Sequence, residues 1–191
     1  MKIFITAGGT GGHIFPGIAL FDAFLAAGDD VFFLGGERDL RFEAVRRLGQ
    51  RFLVLPGGPL YRTKVLRNFR TIRLFFKALA RARALLKNLQ PDVCVGMGGY
   101  ITGPLLLACR MRGIPYVLCE QNAYPGFANR RFAGKAERIL LTFPEAAARF
   151  SKRAARRAVL TGNPVRPGFV RADRNEARRF LITLQSRLLI S

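Results

Sequence analysis

Residues 7–17 read AGGTGGHIFPG, which places four glycines and the chain's one histidine within the six positions 8–13. The segment follows the apolar run KIFIT (2–6), where a first strand gives way to a helix expected to begin near Ile14. Glycines there let the backbone approach a ligand, and free N–H groups at a helix start favour an anion. Four glycines in five residues exceed what a tight turn requires. Beside them His13, with an unperturbed pKa near neutrality, is suited to proton transfer. The loop is not a P-loop, because no Lys-Ser/Thr pair follows. Nor does it match GxGxxG: with Gly9 and Gly11 as the first two glycines, Ile14 falls at the third, which argues against a nicotinamide dehydrogenase.

A second run, VGMGGYITGP (95–104), repeats the grammar of strand, glycine turn and helix start with Gly98, Gly99 and Tyr100. Two such loops at strand ends of one sheet point to an extended phosphorylated ligand such as a pyrophosphate. A third, CEQNAYPG (119–126), sets Glu120, Gln121 and Asn122 at the same expected edge, as ligand contacts or as helix caps. A fourth, TGNPVRPG (161–168), reads as a domain-boundary loop, whether or not Arg166 also binds ligand.

The elements that must position these loops alternate. KIFIT (2–6), VFFL (31–34), RFLVL (51–55), DVCVG (92–96) and YVLC (116–119) read as buried strands, with weaker ones near RILL (138–141) and AVL (158–160). Helical stretches lie near 14–27, 38–48, 65–89, 103–112, 126–133 and 145–155. This alternation predicts an α/β fold with a Rossmann-like, doubly wound, mostly parallel sheet. We place one domain over 1–165, then a linker and the start of a second over 166–191, since RLLIS ends the chain as a strand in want of a sheet. On that reading the chain is the first part of a longer protein.

Composition narrows the function. Half of the 191 residues are hydrophobic and 17 are Phe, which supports a packed core. No apolar run reaches membrane-spanning length, and the N-terminal run is too short for a signal peptide. Cys94, Cys109 and Cys119 lack CxxC spacing and read as buried thiols. With one His and no paired Cys, no metal site or cofactor is expected. The formal net charge of +20 demands an anionic partner: nucleic acid, an anionic membrane or a phosphorylated substrate. A basic nucleic-acid-binding α/β module would leave the glycine loops unexplained and lacks an RNP pattern, zinc motif or helix-turn-helix, so no nucleic acid is expected.

Much of the charge lies in KVLRNFRTIRLFFKALARAR (64–83), within a stretch from Ala44 to Pro91 that has no acidic residue. On a helical wheel Val65, Phe69, Ile72, Phe75, Phe76 and Leu79 share a sector about 120° wide. Arg67, Arg70, Arg73, Lys77 and Arg81 fill the other side. Part of such a helix must cover the sheet. The excess of Phe beside Arg also suits an interfacial element, with rings at the acyl boundary and guanidinium groups on anionic headgroups.

GGTGGHIFPG, GMGGY-TGP, EQN and GNPVR, in this order and spacing, resemble the MurG family of bacterial peptidoglycan glycosyltransferases, over residues 1 to about 168. The resemblance implies the N-terminal half of a GT-B fold. It also implies an inverting hexosyl transfer of N-acetylglucosamine from UDP-GlcNAc to undecaprenyl-pyrophosphoryl-MurNAc-pentapeptide. By the same resemblance the enzyme sits peripherally on the cytoplasmic face of the inner membrane, on its anionic leaflet. The family's donor contacts map to Thr10, Gly11, Gly12, Asn122 and Arg166, and the acceptor pyrophosphate to Gly8, Gly9, Gly98, Gly99 and Tyr100. His13 matches a histidine important for activity and Glu120 the acid of EQN; either is a candidate general base. No DxD-like acidic pair is evident, so the leaving pyrophosphate falls to backbone N–H groups and helix starts. The family's second domain, with most of its donor contacts, does not follow here, so a non-catalytic membrane-docking remnant is the alternative expectation.

Overall fold

Seven short runs pair into one parallel sheet in the computed structural model, which describes the backbone of residues 1–58 and 65–166 and the side chains of 1–58 and 71–166. The strands are β1 (Lys2–Thr6), β2 (Asp30–Gly35), β3 (Phe52–Val54), β4 (Val93–Gly96), β5 (Tyr116–Glu120), β6 (Arg138–Leu141) and β7 (Ala158–Leu160). Their order is β3-β2-β1-β4-β5-β6-β7, as a doubly wound sheet requires. The chain builds outward from β1 to β3 and then restarts at β4 on the other side of β1. Thr6 therefore pairs with Leu34 on one side and Gly96 on the other. Of the expected linker and second-domain start (166–191), residues 167–191 lie outside the described residues, as do the side chains of Val65, Arg67, Phe69 and Arg70.

Both faces of the sheet are covered, which is why the strands read as unbroken apolar runs. Ile3, Ile5, Val31, Phe33 and Val95 pack on one face with Ile14, Ile18 and Phe21 of α1 (Gly11–Ala26) and Val45 of α2 (Glu43–Arg46). Phe4, Leu34, Cys94 and Leu118 pack on the other. There they meet α3 (Val65–Leu89), α4 (Thr102–Arg112), α5 (Phe127–Phe132) and α6 (Lys152–Ala155). Gly113 caps α4 in the left-handed conformation at φ 68°. All three cysteines are buried thiols; burial, then the Glu120 carboxylate, pushes Cys119 up to about 12.

Three expected helices differ. The first starts at Gly11 rather than Ile14, so Gly11, Gly12 and His13 form its first turn. The stretch 38–48 divides into a 3-10 turn, Glu37–Arg41, and the short α2, because Asp39 turns fully inward to bind backbone amides. The stretch 145–155 divides at extended Phe150, after which Ser151 caps α6 by accepting from the Ala154 N–H. Leu105 of α4 is fully buried in the larger cluster. Leu105→Ala is expected to lower the unfolding free energy by about 2–5 kcal/mol in urea titrations, the range for a cavity that relaxes only in part.

Candidate functional site

The two glycine loops leave the carboxyl ends of β1 and β4, the point where the strand order reverses and open α/β sheets bind ligands. They touch backbone to backbone. A Cβ on Gly99 would overlap the Gly8 carbonyl oxygen, and Gly99 has φ +87°. A Cβ on Gly98 (φ +103°) would lie 2.9 Å from the His13 imidazole, and one on Gly9 (φ +91°) 2.9 Å from the Tyr100 ring. Met97 N–H donates to the Thr6 carbonyl at 2.8 Å, which ties the loop roots together.

In the first turn of α1, the N–H groups of Gly11 and Gly12 have no hydrogen-bond partner among the described residues. His13, half-buried, places Nδ1 3.0 Å from Gln121 Oε1. When Nδ1 carries the proton it donates to that oxygen, and Nε2 keeps its lone pair. EQN thus reaches the first loop through its glutamine, a residue that the sequence placed at this edge as a ligand contact or helix cap and not as a partner of His13.

Glu120 is differently employed. It is 2% exposed and accepts four hydrogen bonds. Oε1 takes the Asn122 N–H and Nδ2, both at 3.0 Å; Oε2 takes the Gly126 N–H at 3.0 Å and Asn129 Nδ2 at 2.8 Å. A carboxylate so occupied holds its loop, and its lone pairs are not free for a substrate proton. Asn122 is tied to the same carboxylate through its N–H and its Nδ2.

A pocket of about 260 Å³ opens over the loops, lined by Gly8, Gly9, Thr10, His13, Gly99 and Tyr100 of the expected residues. It also brings in Arg38, Asp39 and Arg41, which sequence reasoning missed. Asp39 accepts from Gly9 N–H at 3.1 Å and Gly36 N–H at 2.8 Å, while Arg41 donates to the Gly9 carbonyl at 3.3 Å. Burial, then Asp39, raises the Tyr100 phenol above its ordinary value against the opposing pull of Arg38 and Arg41, so it stays neutral. Arg166 reaches α1 from the far end of the described chain, its guanidinium 5.4 Å from the Phe15 ring centre.

The expected apolar stripe of α3 divides in two. Ile72 and Phe76 are exposed, at 49% and 62%, beside exposed Arg73 and Lys77. Leu79 instead packs on the core, next to buried Ala78 and Ala82, which corrects its place on the outward face. Phe75 is half-buried, within reach of Gly103 at the start of α4. No helix among the described residues is long and apolar enough to cross a membrane.

Residues 3–141 match the family model described as the glycosyltransferase family 28 N-terminal domain. Two curated relatives bear the name UDP-N-acetylglucosamine–N-acetylmuramyl-(pentapeptide) pyrophosphoryl-undecaprenol N-acetylglucosamine transferase. The Moorella thermoacetica protein is 40% identical over 94% of this chain and 48% of its own length; the Halothermothrix orenii protein is 38% identical over 92% and 47%. The chain thus spans about half the length of the curated relatives it matches. Among solved structures, Acinetobacter baumannii MurG is similar with a TM-score of 0.69 and 26% identity, over 91% of this chain and 50% of that one. The UDP-GlcNAc 2-epimerase of Methanocaldococcus jannaschii, at 16% identity and a TM-score of 0.63 over 85% of this chain and 46% of its own, shares the fold alone.

Glu120→Gln would turn an NH2 toward two of the four donors. The change is expected to cost about 1–3 kcal/mol of stability, the scale of buried donors left unmet, measured by denaturant titration. Glu120→Ala should cost at least as much.

Proposed function

We propose that this chain, which belongs to the glycosyltransferase family 28 N-terminal domain family, is the acceptor-binding half of an inverting GT-B N-acetylglucosaminyltransferase. Its donor is UDP-GlcNAc and its acceptor undecaprenyl-pyrophosphoryl-MurNAc-pentapeptide. The observation that carries this reading is the pair of interlocked glycine loops at the β1/β4 switch point, roofed by a pocket that His13 lines.

The acceptor diphosphate lies against Gly8, Gly9, Gly98, Gly99 and Tyr100. An acceptor hydroxyl attacks the anomeric carbon of the donor sugar as His13 Nε2 takes its proton. The new carbon–oxygen bond forms while the bond to the donor phosphate breaks, and UDP leaves with the electron pair. The unpartnered N–H groups of Gly11 and Gly12, in the first turn of α1, suit the charge that develops on the leaving diphosphate. Thr10, Asn122 and Arg166 complete this half's donor contacts, and the remaining contacts come from a second domain. What favours His13 over Glu120 as base is that Gln121 orients the imidazole, whereas the Glu120 carboxylate already accepts four hydrogen bonds.

A lipid-linked acceptor requires a membrane surface. In this reading the enzyme rests on the anionic cytoplasmic leaflet through α3, with Ile72 and Phe76 at the acyl boundary and Arg73 and Lys77 among headgroups.

Two measurements test these assignments. In a chimera that takes its remaining half from the Moorella thermoacetica relative, His13→Ala should lower transfer at least about 100-fold, the scale of a lost general base. A near-wild-type rate would remove His13 from the mechanism. This chain should sediment with anionic vesicles less strongly as salt rises, and Ile72→Asp with Phe76→Asp should abolish the binding. Indifference to lipid charge and salt would overturn the membrane assignment.

A further inference from the structure

The first glycine loop does not stand alone. Gly9 is held on both sides of its peptide by the 3-10 turn Glu37–Arg41, with its N–H bound to Asp39 and its carbonyl to Arg41. Gly9 therefore has no N–H to offer an anion. Asp39 is fully buried, its recorded donors are the Gly9 and Gly36 amides, and no ion pair neutralises it among the described residues. A carboxylate in the wall of a pocket repels a phosphorylated ligand unless cations outweigh it.

Arg38 and Arg41 lie on either side of Asp39 in sequence, line the same pocket and are themselves exposed. Neither forms an ion pair among the described residues. Arg41 also stacks on Phe42, with its guanidinium 4.7 Å from the ring centre. With one carboxylate and two guanidinium groups among the lining residues, the arginines set the sign of the pocket's charge.

We propose that the turn Glu37–Arg41 completes the pocket as a diphosphate clamp: Asp39 is a positioning residue for the first glycine loop, and Arg38 and Arg41 bind the diphosphate of the acceptor directly. This rests on the reading of the pocket as the acceptor site, and names cations there that neither glycine loop supplies. Guanidinium groups suit the role because their planar donor fork matches paired phosphate oxygens.

The test is a titration of this chain with inorganic pyrophosphate, a short-chain prenyl diphosphate and UDP-GlcNAc, read by calorimetry and by the amide resonances of Gly9 and Gly99. Arg38→Ala with Arg41→Ala is expected to weaken pyrophosphate and prenyl diphosphate roughly tenfold or more, as lost charge-assisted hydrogen bonds do. Arg38→Lys with Arg41→Lys should recover part of that loss. Arg153→Ala with Arg156→Ala removes the same charge from exposed sites outside the pocket lining and should leave binding unchanged. Asp39→Asn should shift the Gly9 and Gly36 amides in the free protein and weaken both ligands. Arg38→Ala alone, at a side chain with no hydrogen bond among the described residues, keeps the test sound should the Arg41 variant unfold.

Equal affinity in the double variant and the wild type would overturn the clamp and leave the acceptor-site reading intact. A loss confined to UDP-GlcNAc would overturn the assignment to the acceptor. Absence of any diphosphate binding by the wild-type chain would sink the site reading itself, and the clamp with it.

Discussion

The contact of Gly99 with the Gly8 carbonyl fixes the geometry of everything around it. β1 and β4 are neighbours in register, Thr6 beside Gly96, so they release their loops at one level with only a strand spacing between them. Two chains turning out of such adjacent strands meet before either can clear the other. Positive φ at Gly9, Gly98 and Gly99 provides the turns, and the missing Cβ atoms provide the room. In the space so freed lie the His13 imidazole against Gly98 and the Tyr100 ring against Gly9. Much of the glycine content therefore serves loop-on-loop packing. At Gly12 a Cβ would meet nothing nearer than 3.8 Å, so loop-on-loop packing does not account for that glycine, which stands at the head of α1 with an N–H unpartnered among the described residues.

Two buried carboxylates stabilise this arrangement in the same way. Asp39 takes the amides of Gly9 and Gly36, and Glu120 those of Asn122 and Gly126 with two side-chain NH2 groups. A carboxylate only accepts, and each oxygen can receive two donors, so it binds several amides of a loop that has no ladder to pair with. Charge-assisted bonds offset the desolvation that burial imposes on each ion. The acid that draws the eye in EQN thus holds the frame, and its neutral neighbour Gln121 reaches the imidazole.

The sheet was legible in the sequence because a strand covered on both faces leaves a continuous apolar run. All seven runs became strands, and RILL and AVL did so over their full quoted lengths. The helix starts were less legible. Glycine reads as a loop former, so Gly11 and Gly12 concealed the first turn of α1. At 38–48 the helical pattern was real, but Asp39 gains two buried hydrogen bonds by tightening the turn, and the nearer of its partner loops in sequence gives no sign of the other. Gly9 lies 30 residues from Asp39 and Gln121 lies 108 from His13; no local pattern encodes either contact. The one local signal was the acid itself, Asp39 standing between Arg38 and Arg41.

The long basic helix shows how a correct period can still misplace a face. Its apolar sector was centred on Phe and Leu, whereas the side that meets the sheet and α4 runs through Thr71, Ala78, Ala82 and Leu86. Small residues let helix axes approach, so the closest contact carries the least conspicuous side chains. The bulkier Ile72 and Phe76 are displaced to the flank, where the same line continues into exposed Arg83 and Lys87. Among the described residues, the exposed large apolar side chains of α3, Ile72 and Phe76, thereby fall in its N-terminal half. That half lies toward the carboxyl edge of the sheet, since α3 ends at Leu89, just before β4 begins at Val93, and Phe75 reaches Gly103 at the head of α4. The glycine loops and their pocket occupy the same edge. The pocket and the exposed apolar surface of α3 therefore share one side of the molecule, the arrangement that the proposed lipid-linked acceptor needs.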